Sequence, residues 1–280
     1  MKPTQRALDA SPRRSKGPAG FTRAELLVVV TVIGLLALLH WPAEANTRTS
    51  AQLVGCLGNQ RQLALAWQMF ADDNGGQLPL NGDNVNPPPW VSGYMDFASG
   101  NRNNYDTTLL LNPTKASLGP YTRDAAIYRC PADGSLVRSN LATVPRIRSY
   151  SMNSALGTPN AFWLPSPPYR AYQRVSDLVS PPPSRLWVFI EEHADSINDG
   201  QFAVTMATSA AQTRFVDYPA AWHNGAASLA FADAHAELHR WIDPRTKPAP
   251  KYNNSLPLNV SSPNNPDVLW LGERTSARAQ

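Results

Sequence analysis

Residues 20–39 read GFTRAELLVVVTVIGLLALL, and the fold turns on what this stretch does. Its uninterrupted apolar part, residues 26–39, is the only long apolar run in the chain, and it follows directly on a charged leader. As a helix, the segment from Phe21 to Trp41 extends roughly 31 Å, about the thickness of a bilayer core. Arg23 can snorkel at one end, and His40 and Trp41 suit the membrane interface at the other. The residue that needs a reason is Glu25. A carboxylate in a bilayer costs roughly 3 kcal/mol even on lenient insertion scales, so it calls for a partner. A cut after Gly20 creates one, because the freed α-amine of Phe21 is a cation at the same depth.

The chain has 280 residues, 42% of them hydrophobic and 16% charged, enough to bury a substantial core. Its formal net charge of +4 comes entirely from the first twenty residues, where Lys2, Arg6, Arg13, Arg14 and Lys16 stand against Asp9. The basic character therefore belongs to the leader and not to a binding surface, and no nucleic-acid partner is expected. A basic leader also predicts a cytoplasmic N-terminus and an exported C-terminal body. No P-loop or zinc-finger spacing occurs. The two cysteines, Cys56 and Cys130, are too few for a disulfide framework and are not spaced as zinc ligands. One bridge between them and two buried thiols are both open readings.

The stretch from Gly20 to Leu39 resembles the N-terminal signature of the prepilins and pseudopilins of type IV pili and type II secretion systems. The resemblance implies cleavage between Gly20 and Phe21 by a prepilin peptidase, N-methylation of Phe21, and a role for Glu25 in subunit registration during assembly. The chain departs from the usual pattern at Arg23 and Ala24, where bulky aliphatics are the rule. The resemblance further implies an α+β, pilin-like fold in which a long, partly transmembrane N-terminal helix packs on an antiparallel sheet with long loops. The domains expected are a removed leader (1–20), a transmembrane helix (21–42), an exported half of that helix (43–73) and a globular β-rich head (74–280). It places the protein in a bacterial inner membrane by a single pass, with the head periplasmic or in a surface fibre. The implied partners are the peptidase, other pilin-like subunits, an assembly platform and membrane lipid. A competing reading is an ordinary secretory signal peptide cut at Ala43-Glu44-Ala45, which leaves Glu25 unexplained.

Beyond the apolar run, residues 47–71 read as a second helical stretch. Cys56, Leu63 and Phe70 recur every seven residues, as do Leu53, Gln60 and Trp67, and together they make an apolar stripe that needs a surface to cover. The cluster Asp72-Asp73-Asn74-Gly75-Gly76 ends it. Strands are expected at 186–191, 226–232 and 235–241, the last two forming a hairpin around Asp233-Ala234. Ala234 stands where a tight turn prefers glycine, so it must take a positive φ at a cost of roughly 1 kcal/mol or lengthen the turn. His223, nine intervening residues and Asp233 resemble the H-X9-DG pattern of a prepilin-like subfamily. Cys56 with Asn59 and Gln62, Ala71 to Asn74, Cys130-Pro131 with Asp133, and Ser149 to Asn153 are similar to other blocks of that subfamily. These residues are structural marks there and carry no activity.

Three groupings invite chemistry. Alternation along 235–241 places His235, Glu237 and His239 on one face, with Asp233 and His223 close in sequence, a set that suits zinc or acid–base work. Glu191, Glu192, Asp195, Asn198 and Asp199 offer oxygens to calcium, although Ile197 breaks the spacing. Trp90 and Trp163 lie in Pro-rich loops where an aromatic platform for carbohydrate is conceivable. Neither grouping of polar residues outweighs an ordinary solvated face, so no metal ligand, cofactor or catalytic residue is assigned, and the function expected is structural. The alternative is a membrane-tethered periplasmic binding module or a metal-dependent hydrolase built on His223, Asp233, His235 and His239.

Overall fold

The computed structural model describes residues 20–82, 85–139, 142–158 and 169–279, with the backbone alone over 37–48. Residues 1–19 of the leader, Trp163, and the side chains of His40, Trp41 and Ala43 to Ala45 lie outside the described residues. The chain divides into two compact units, Met1–Arg48 and Thr49–Gln280.

In the first unit, helix α1 (Arg23–Asp73) begins. Its start is set by a capping box. Thr22 donates its backbone N–H and its hydroxyl to Glu25 Oε2, both at 2.8 Å, while Glu25 N–H donates back to Thr22 Oγ1 at 3.3 Å. Glu25 therefore has a local task at the helix N-terminus. The side chains that follow, Leu26, Leu27, Val28, Val29, Val30, Val32, Ile33, Leu35 and Leu36, are 45–68% exposed.

The expected transmembrane helix over 21–42 is overturned: among the described residues no helix is long and apolar enough to cross a membrane. The uninterrupted apolar run, residues 26–39, makes about 21 Å of helix against a hydrocarbon core of about 30 Å.

In the second unit α1 continues from Thr49 and stops at the turn Asn74-Gly75-Gly76, where Gly76 N–H donates to Ala71 O at 2.8 Å and both glycines take positive φ. The stripe is buried at Cys56, Gln60, Leu63, Ala64, Trp67 and Ala71. What it covers is a five-stranded sheet. The strands of this unit are β1 (Leu136–Arg138), β2 (Thr143–Pro145), β3 (Tyr150–Asn153), β4 (Trp187–Glu191), β5 (Gln201–Phe202), β6 (Arg214–Phe215), β7 (Ala226–Phe231), β8 (Ala236–Arg240) and β9 (Val260–Ser261). The main sheet has the order β5-β3-β4-β7-β8, with β1–β2 and β6–β9 forming separate pairs. β3–β4, β4–β7 and β7–β8 are antiparallel, but β5 runs parallel to β3, so the sheet is mixed and not antiparallel as expected.

Both faces of the central strands are covered. β4 (WVFIE) and β7 (AASLAF) are buried at every position, which is why they read as continuous apolar runs without alternation. On one face Tyr150, Met152, Phe189, Ala230 and Ala232 pack with Cys56, Leu63 and Trp67 of α1. The small residues on β7 allow the helix to come close enough for Gln60 Nε2 to donate to Ser228 O at 3.2 Å and Gln68 Nε2 to Ala232 O at 2.9 Å. On the other face Trp187, Ile190, Leu229, Phe231 and Trp241 pack with Leu271 of a C-terminal helix, Pro266–Thr275. β8 is the polar edge, with Glu237 and Arg240 exposed.

The β7–β8 hairpin closes through four residues, Ala232 to His235, with Phe231 N–H donating to His235 O at 2.9 Å. Ala234 sits at φ 67° within it. The turn is thus both longer than two residues and left-handed at the alanine.

Candidate functional site

Four segments that are far apart in sequence meet beneath α1. Cys56 comes from the buried stripe of the helix. Glu191 ends β4, where Tyr150 of β3 lies directly opposite it. His223 sits in the approach to β7, and its N–H donates to Ala226 O at 3.2 Å. The turn between them needs Asn224 at φ 55° and Gly225 at φ 80°. Cys130 is held by the turn it opens: Asp133 N–H donates to Cys130 O at 3.0 Å, and Cys130 N–H donates to Ser149 Oγ at 3.2 Å. Ser149 in turn donates to Asp133 Oδ2 at 2.6 Å, which locks the Cys-Pro-Ala-Asp turn against the start of β3.

The ligating atoms of Cys56, Cys130, Glu191 and His223 all lie within 4.8 Å of one another. All four residues are buried. Cys56 Sγ is 2.5 Å from Glu191 Oε1, His223 Nε2 is 3.0 Å from the same oxygen, and Cys130 Sγ is 3.4 Å from His223 Nε2. Ser228 N–H donates to the other carboxylate oxygen at 2.7 Å. Polar groups also converge on the sulfurs. The hydroxyls of Tyr150 and Ser228 each lie 3.1 Å from Cys56 Sγ, and Ala132 N–H donates to Cys130 Sγ at 3.3 Å. Burial, the bond to Cys56 and the charge of Glu191 push the Cys130 thiol up. Burial disfavours the His223 imidazolium, yet its hydrogen bonds with Cys56 and Glu191 outweigh that and raise it to about 10. All four side chains are shut off from solvent.

The disulfide left open for Cys56 and Cys130 is not formed; both are free thiols, buried side by side. No close spacing along the chain joins these four residues, so no metal ligand is evident from sequence. The blocks containing Cys56, Cys130, Tyr150 and His223 do come together, and Glu191, grouped in the sequence with acidic neighbours that could offer oxygens to calcium, joins them instead.

The other groupings separate. His223 and Asp233 stand at opposite ends of β7, so the nine-residue interval measures one strand. Asp233 Oδ1 is 2.5 Å from His235 Nδ1 in the exposed hairpin loop, and the His235 ring stacks on Phe231. His239 stacks on Trp270 at 3.6 Å between ring centroids and meets Trp241 edge-on. The set His223, Asp233, His235 and His239 is therefore no single site. The acidic loop also disperses. Glu192 is buried and accepts from Ser151 Oγ at 2.5 Å and Ser196 Oγ at 2.7 Å. Asp195 accepts four backbone N–H groups, from Lys251, Tyr252, Asn253 and Asn254, at 2.7–3.1 Å. Trp90 is fully buried against Phe189 and donates to Gly200 O at 3.0 Å, so it forms part of the core and offers no platform.

A second feature is a cavity of about 620 Å³ lined by Arg102, Arg129 and Arg146 together with Val144, Pro145 and Ile147.

No protein-family model, no curated protein and no solved structure matches this chain.

Proposed function

We propose that this protein is a structural subunit or minor component of a type IV pilus-like or type II secretion pseudopilus fibre, cut by prepilin peptidase between Gly20 and Phe21. The observation that carries the reading is the exposed apolar run from Leu26 to Leu36 directly behind Glu25. Nine large aliphatic side chains in one stretch demand a cover, since soluble surfaces avoid patches of that kind. Corresponding helices of neighbouring subunits supply one. The order Gly20, Phe21, then a helix opened by Thr22 and Glu25 fits processing at that bond.

The capping box makes the test sharper. Glu25→Gln keeps the capping box, because glutamine serves at that position as well as glutamate. It removes only the charge that would pair with the α-amine of a neighbouring Phe21. Assembly into sheared surface or periplasmic fibres is expected to fail in Glu25→Gln while the amount and fold of the protein stay unchanged. Unaltered assembly would reject the registration role.

The arginine-lined cavity favours a second reading, a module that displays its C-terminal unit to an acidic ligand with an apolar portion. Arg102→Ala should then weaken retention on such a ligand without affecting assembly.

A further inference from the structure

We propose that Cys56, Cys130, Glu191 and His223 form a closed structural centre for a divalent transition metal, zinc being the ion that this donor set suits best. The inference stands independently of the fibre reading.

The donor set comes first. Two sulfurs, one imidazole nitrogen and one carboxylate oxygen are the mixture that selects zinc over hard cations. Geometry follows. A tetrahedron built with zinc bond lengths of 2.3 Å to sulfur and about 2.1 Å to nitrogen and oxygen has edges of about 3.4–3.8 Å. The Cys130–His223 edge of 3.4 Å falls at that size, the His223–Glu191 edge of 3.0 Å lies just below it, and no edge exceeds 4.8 Å. The ligand atoms are thus already gathered, and binding would open the short Cys56–Glu191 and His223–Glu191 edges from 2.5 and 3.0 Å toward that size.

The surroundings give a separate indication. A thiol is a weak acceptor and needs no donors. Here two hydroxyls face Cys56 Sγ, and a backbone N–H points at Cys130 Sγ. Once a metal has deprotonated the sulfurs, these neighbours can donate to the thiolates and spread their negative charge. Glu191 Oε2 is likewise held by Ser228 N–H, leaving Oε1 to face the sulfurs and the imidazole. With a metal bound, two thiolates and a carboxylate sealed from water would have between them the cation that their burial requires. A metal would deprotonate both thiols on binding and release those protons to solvent. With four protein ligands and full burial, the centre would tie α1, the Cys130 turn, β4 and the approach to β7, in a structural and not a catalytic role.

The test is metal analysis of the purified full chain, prepared with reductant and supplied with zinc. About one zinc per chain is expected. Replacement by cobalt should give the visible bands of a tetrahedral ion together with thiolate-to-metal charge transfer. Cys130→Ser should lose the charge-transfer intensity of one thiolate, whereas His235→Ala, in the exposed hairpin, should keep the full metal content. Because the wild-type chain carries the decisive reading, loss of folding in a variant does not obscure it. Folded wild-type protein that stays metal-free under these conditions would overturn the proposal, whether its thiols are free or joined as a disulfide with the mass of two hydrogens lost.

Discussion

Cys130 Sγ lies 3.4 Å from His223 Nε2 although 93 positions separate the two residues. The contact joins the turn before β1 to the loop before β7. With Cys56 and Glu191 it makes one buried knot under α1. If that knot is held by a metal, removing the ion leaves a buried carboxylate among thiols and loosens four segments at once. Treatment with a strong chelator should therefore lower Tm by at least about 5 °C, measured by thermal unfolding before and after zinc is restored. An unchanged Tm in protein shown to have lost its metal would contradict the tying role.

Asp195 governs a different region. Its carboxylate accepts four N–H groups from residues 251–254. Burial opposes its ionisation, but those four bonds outweigh burial and hold the carboxyl below its ordinary 3.8. A depressed acid contributes stability that is complete above the unfolded value and lost as pH falls through the folded one. Acid unfolding should thus gain steepness below about pH 4 from this residue. Asp195→Asn should cost about 3 kcal/mol, since an amide turns N–H groups toward donors that need an acceptor, and should flatten the acid limb. Denaturant titrations at pH 3 to 7 measure both.

Glycine supplies a third check. Gly157 has φ +64°, and a Cβ there would stand 2.0 Å from Pro79 O. Gly75 has nearly the same φ, +63°, with nothing within 4 Å. Gly75→Ala should cost about 1 kcal/mol from backbone strain alone, while Gly157→Ala should cost more than about 2 kcal/mol, because the loop 79–81 must also move. Equal losses would show that the packing between Gly157 and Pro79 is looser than described.

These positions also mark what can be read along the chain. Helix α1 was legible because its stripe repeats at helical spacing and the Asp72 to Gly76 turn stops it. β4, β7 and β8 were legible from their apolar runs and the polar turn between the last two. β3 was not, since Tyr-Ser-Met-Asn is buried on both faces and carries no period. The parallel β5 is two residues long and gives no signal of its own. The membrane span is suggested by an apolar run, residues 26–39, that is shorter than a bilayer core, and among the described residues no helix is long and apolar enough to cross one. The metal knot was hidden for another reason. Its ligands come one each from four segments, so no local spacing announces it, and Glu191 sits beside Glu192 and near Asp195, which drew it into a grouping the fold takes apart. Cys56, Cys130, Tyr150 and His223 belonged to blocks noticed separately; folding is what joins them.

The apolar face behind Glu25 makes the fourth prediction. If subunit helices cover Leu26 to Leu36, Val30→Asp, on a side chain 59% exposed in the single chain, should abolish assembly while leaving the fold of residues 49–279 unchanged by circular dichroism. Normal assembly of Val30→Asp would mean that another surface mediates it.

The processing claim is tested most directly by the mass and N-terminal sequence of the protein recovered from cells that carry a prepilin peptidase. A mature chain beginning at N-methylated Phe21 is the result expected. A chain beginning at Met1 or at Asn46 would contradict it.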